Sequence, residues 1–141
     1  EIVEELFRFG ADPSIICRTV SPMHIASARG MVDIVQLLLM NGCSVNHNSS
    51  KHGTPLHVCC IKNHKYIARF LIEVGHCDVN LKNEEGETAL HMVSRSGYAD
   101  IVELLLERED LDASVQEPLD GNSALHLAIL SNKTKIFKMI A

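Results

Sequence analysis

The chain has 141 residues, of which 46% are hydrophobic and 22% charged, the balance of one water-soluble globular domain. A net charge of −5, with four Phe, two Tyr and no Trp, argues against nucleic acid as a partner, because such a partner needs a basic stripe and rings for bases to stack on. No apolar run is long enough to cross a bilayer, so direct membrane insertion is not expected.

Residues 1–15 carry Ile2-Val3 and Leu6-Phe7 at helical spacing, then the turn Gly10-Ala11-Asp12. They look like the second half of a repeating unit, so the chain is expected to start within a repeat. An apolar connection, Ile15-Ile16-Cys17 with Thr19 and Val20, leads into residues 16–48 and to the word Ser21-Pro22-Met23-His24. That word returns as Thr54-Pro55-Leu56-His57 within residues 49–82, Thr88-Ala89-Leu90-His91 within 83–117, and Ser123-Ala124-Leu125-His126 within 118–141. The histidines at 24, 57, 91 and 126 are 33, 34 and 35 residues apart. Each copy continues with a small residue two places on (Ala26, Cys59, Val93, Ala128) and Gly or Asn six places on (Gly30, Asn63, Gly97, Asn132). A second apolar stripe follows, from Ile34-Val35, Ile67-Ala68, Ile101-Val102 and Ile136-Phe137, with the periodicity of a helix buried on one face. The last stripe ends at Ala141 without a turn, so the far end is also expected to be cut within a repeat.

Each word can start a helix. The hydroxyl of Ser21, Thr54, Thr88 or Ser123 can cap orphan amides, and Pro22 or Pro55 takes the first helical position, where a missing N–H costs little. Met23, Leu56, Leu90 and Leu125 should point into a stack, with the next histidine bridging backbone groups of neighbouring repeats. One such histidine per repeat gives a row spaced about 10 Å apart, too far to share a metal. His57, Cys59, Cys60 and His64 form a tempting cluster, but on a helix only one of two adjacent cysteines can face the same point as His57. His47, His52 and His64 read as loop and turn residues. The repeats also differ in their exits. Gly75-His76-Cys77-Asp78 is one residue longer than Gly42-Cys43-Ser44, Glu109 stands where a helix-ending glycine is expected, and Pro118 is read as opening the next hairpin.

With its Thr-Pro-Leu-His word, small residue and period near 33, nearly the whole chain resembles the ankyrin-repeat family. The resemblance implies an all-α solenoid of stacked helix-turn-helix units with short hairpin connections. It also implies a partner-binding face made of hairpin tips and the exposed side of each first helix. The positions concerned are Cys17, Arg18, Val20, Ala28 and Arg29, then Ser50, Lys51, Gly53, Ile61 and Lys62. The later repeats contribute Glu84, Glu85, Glu87, Arg95 and Ser96, then Leu119, Asp120, Asn122, Leu130 and Ser131. The face should run from positive at Arg18, Arg29, Lys51 and Lys62 to negative at Glu84, Glu85, Glu87 and Asp120, a polarity that could orient a partner.

No Gly-rich phosphate loop, Gly-x-Ser-x-Gly elbow or His-Glu-x-x-His is present, so neither catalysis nor a cofactor is expected within these residues. The five cysteines lack disulfide spacing and suggest reduced thiols in an intracellular setting, cytoplasmic or nuclear. The expected partner is another protein or peptide, or a segment of the same longer chain. Two functions remain open: a free-standing interaction module, or a regulatory domain of a larger enzyme or channel.

Overall fold

The computed structural model describes residues 21–49 and 52–141. The half-repeat at 1–15, the apolar connection up to Val20, and Ser50 and Lys51 lie outside the described residues. Four helix pairs follow in order: α1 (Pro22–Ala28) with α2 (Val32–Met40), α3 (Pro55–Lys62) with α4 (Lys65–Glu73), α5 (Ala89–Ser96) with α6 (Ala99–Leu106), and α7 (Ala124–Leu130) with α8 (Thr134–Ile140). The odd-numbered helices pack in one row and the even-numbered helices in a second. The fold is thus an all-α repeat stack. Among the described residues, its one isolated β-bridge joins Ser49 to Gly53.

Ser21, Thr54, Thr88 and Ser123 are extended caps, and the histidine three places on returns to each. Its Nδ1 is 2.8 Å from the cap hydroxyl in all four copies. Nδ1 also accepts the backbone N–H of the cap residue at 3.3, 3.1, 3.0 and 3.2 Å. An N–H can only donate, so Nδ1 is bare and Nε2 carries the hydrogen. From His24 and His57 that hydrogen goes across the repeat boundary to the carbonyls of Gly53 (2.7 Å) and Glu87 (2.9 Å), and from His91 to the Val115 carbonyl (2.9 Å) in the connection before the last hairpin. The bridging role read from the motif is therefore present at two boundaries, and His91 reaches the chain just short of the third. His126 is exposed and bonds only Ser123 among the described residues.

Between paired helices the chain reverses through left-handed residues, Gly30 (φ 69°), Asn63 (56°), Gly97 (81°) and Asn132 (55°). Gly and Asn recur there because they adopt this conformation at least cost. Met23, Leu56 and Leu90 are fully buried in one continuous core with Leu38, Leu71, Ile101 and Leu105 from the outer helices. Leu125, expected to match them, is only half-buried, because among the described residues no inner helix packs beyond α7. The exit loops are pinned in register by asparagines: Asn46 Oδ1 accepts the Asp78 amide and Asn80 Oδ1 the Asp112 amide, both at 2.8 Å.

The departures from regularity take a different form from the one read in the sequence. After α4 the left-handed residue is His76 (φ 50°) rather than Gly75. After α6 no glycine is needed, because Glu107 stays right-handed and Arg108 fixes the exit, donating to both carboxylate oxygens of Asp110 at 2.9 and 2.8 Å and to the Ile72 carbonyl at 3.3 Å. The last hairpin opens at Glu117, whose N–H donates to the Asn122 carbonyl at 2.8 Å, and not at Pro118. It is one residue longer than the hairpins 49–53 and 83–87, so Pro118 falls at its second position.

Candidate protein-interaction face

On each inner helix the residue after the motif histidine shares a face with the one three places further on. These pairs are Ile25 and Ala28, Val58 and Ile61, Met92 and Arg95, and Leu127 and Leu130. They form a two-row apolar stripe with a single break, at Arg95. To one side of the break, between α1 and α3, a groove of about 360 Å³ is lined by Ile25, Ala28, Val58 and Ile61, with Arg29, Lys62 and His52 at its edge. To the other side, α7 and two hairpins enclose a groove of about 600 Å³ with Leu119, Leu127 and Leu130 on its walls and Glu85 and Asp120 among its lining. Leu119 and Leu130 are 89% and 70% exposed.

Of the basic positions, Arg29 and Lys62 are exposed, while Arg18 and Lys51 lie outside the described residues. Glu84, Glu85 and Asp120 are exposed. Glu87, counted with the acidic end from sequence, is instead gripped by Arg95 through two parallel bonds of 3.1 and 3.0 Å. The pair cancels at the centre of the face. Gly53, read as exposed, is buried, and a side chain there would press on Asn83 and the His57 ring at 2.9 Å. Asn122 is half-buried, donating from its backbone and side-chain nitrogens to Glu117 Oε1 at 3.1 and 3.2 Å.

Glu117 is the loop-shaping residue that the sequence did not disclose. Its buried carboxylate also accepts the amides of Leu119 (2.8 Å) and Asp120 (3.1 and 3.2 Å) and so shapes the tip that presents Leu119. Burial pushes its acid form up, but the amides of Asn122, Leu119 and Asp120 outweigh that and hold its pKa below the usual carboxylate value. Asn83 does the same in the shorter hairpin, its Oδ1 accepting the Glu85 and Glu87 amides at 3.0 and 2.9 Å. That matching register was the available signal.

The cluster His57, Cys59, Cys60 and His64 is dispersed among other tasks. Both His57 nitrogens are used, Cys59 Sγ donates to the Leu56 carbonyl at 3.1 Å, and His64 Nε2 reaches the Ala28 carbonyl at 3.0 Å. Among the described residues no group of three His, Cys, Asp or Glu is arranged to hold a metal. Burial raises the Cys59 thiol pKa well above its ordinary value and pushes that of Cys77 up to about 12, so neither provides a thiolate near neutrality.

The family model of ankyrin repeats in three copies matches residues 1–83 and 74–141. The chain belongs to the ankyrin-repeat family. It is 38% identical over 107 residues to the ankyrin repeat and KH domain-containing protein mask-1 of Caenorhabditis elegans, covering 75% of this chain and 4% of that protein. A transient receptor potential cation channel subfamily A member 1 homolog from the same worm is 32% identical over 62% of this chain and 7% of its own length. The nuclear factor NF-kappa-B p105 subunit of Rattus norvegicus is 29% identical over 90% of this chain and 13% of its own. The chain thus spans a small fraction of each of these relatives. Ankyrin stacks are in general interaction modules rather than catalysts. No helix among the described residues is long and apolar enough to cross a membrane.

Proposed function

We propose that this ankyrin stack is a non-catalytic binding module that takes a protein partner on the face of its inner helices and hairpins. The observation that carries this reading is the set of exposed apolar side chains Ile25, Ile61, Leu119 and Leu130 along this face, edged by Arg29 and Lys62 at one end and by Glu84, Glu85 and Asp120 at the other. Opposite rim charges steer association and select one orientation more than they add affinity. The setting proposed is intracellular, in keeping with buried, unpaired Cys59, Cys60 and Cys77.

The test is capture of partners from lysate followed by hydrogen exchange on the complex. Protection at α1, α3, α5 and the hairpins 83–87 and 117–122 is the expected result, and protection confined to α2, α4, α6 and α8 overturns the reading. The small share of each relative that the chain covers, the channel homolog included, supports a second form of the same reading. In it the partner is a segment of a longer chain that contains these repeats, and the stack is its regulatory domain.

A further inference from the structure

We propose that the face receives an extended peptide segment carrying two apolar anchors about six residues apart. An acidic residue flanks the anchor between α1 and α3, and a basic residue flanks the one beside α7. This rests on the interaction reading above and specifies the ligand for the same face.

Three observations carry it. First, the apolar stripe is divided, because the paired Glu87 and Arg95, which line the second groove and not the first, set a polar ridge between the apolar residues of the two. A continuous apolar ligand would bury that ridge, whereas a ligand with two separated anchors leaves it wet. Second, the rims are opposite in charge. Arg29 and Lys62 border the first groove, and Glu85 and Asp120 the second, with the only cation lining the latter among the described residues, Arg95, already taken by Glu87. Third, the grooves are two repeats apart. Inner helices packed at about 10 Å place the anchors about 20 Å apart, and an extended chain rising about 3.3 Å per residue covers that in about six residues. Six is an even number, so both anchors leave the strand on the same side. A helical ligand, rising 1.5 Å per residue, would need about thirteen.

The probe is a random peptide library of about 16 residues on phage, selected against the 141-residue chain at low salt, where surface charges are least screened. Enriched peptides should carry the acidic-apolar and apolar-basic pairs about six residues apart. In fluorescence anisotropy, exchanging the two charges within such a peptide should weaken binding about tenfold or more. Ile61→Ala and Leu130→Ala should each weaken it by about tenfold without moving thermal unfolding, since both side chains are exposed. Tyr66→Ala on the outer helices should change nothing. Equal binding of the charge-exchanged peptide, an anchor spacing near thirteen, or indifference to both Ile61→Ala and Leu130→Ala overturns the proposal. If that happens while captured partners still protect the inner helices, the ligand chemistry alone is wrong; protection confined to the outer helices removes the interaction face as well.

Discussion

A single imidazole at each of His24, His57 and His91 closes the start of its own helix with Nδ1, and Nε2 ties that helix to the following hairpin from His24 and His57 and to the connection just before the last hairpin from His91. Both jobs need the neutral ring with a bare Nδ1. Adding a proton there would set it against the N–H of Ser21 or Thr54, and burial, the largest influence on both, already lowers the pKa of His24 and His57 from 6.5. The unfolded chain therefore takes up these protons first as pH falls. Stability is full above about 6.5 and declines below it, because the unfolded state there binds more protons. Urea unfolding should show a flat midpoint from about pH 8 to 7 and a falling one from about 6.5 to 5. His57→Ala should begin lower at neutral pH and fall less steeply. A wild-type midpoint that rises on acidification would contradict the neutral-ring account.

The hairpins show how an element absorbs a length change without disturbing the helices. In the hairpin 83–87 the short Asn83 amide reaches two backbone N–H groups, and in the hairpin beginning at Glu117 one more residue is spanned by a side chain one carbon longer. Glu117→Ala should leave the amides of Leu119, Asp120 and Asn122 without their acceptor. Their hydrogen exchange is expected to quicken while α5 amides keep wild-type rates, and Glu117→Gln, which retains one carbonyl acceptor, should be intermediate. Unchanged exchange in the alanine variant would mean that the hairpin is held by packing of Pro118 and Leu119 instead.

The capping words, the left-handed Gly and Asn turns and the buried rows were legible in the sequence because each depends on residues within one turn of one another, as Thr54 and His57 do. Glu117 was not, since its role depends on hairpin length, and Pro118 drew the boundary one residue too far. The bond between Glu87 and Arg95 was equally hidden. They stand eight positions apart and a helix cap intervenes, so no helical spacing rule pairs them. The charge polarity could be read residue by residue, but its division into two grooves required knowing which acid was already neutralised.

Across the whole stack, each inner helix packs mainly on its neighbours in the row, α1 on α3, α3 on α5 and α5 on α7. Stability in such an arrangement is close to a sum of repeat terms and nearest-neighbour interfaces. Leu90, 1% exposed on α5, belongs to the one continuous core that joins these interfaces. Leu90→Ala should cost about 2–5 kcal/mol, the lost transfer energy together with the cavity it leaves. Because the α7 and α8 pair has a described neighbour on one side alone, the loss should not be spread evenly. Amides of α7 and α8 are expected to exchange fastest in the wild type, those of α3 and α5 slowest, and the substitution should widen that difference as the last pair detaches. Two urea transitions, the first confined to α7 and α8, would follow from nearest-neighbour coupling weakened at one link. A single sharp transition with protection lost equally from all four pairs would show coupling that extends beyond neighbours, and the stack would then unfold as one cooperative unit.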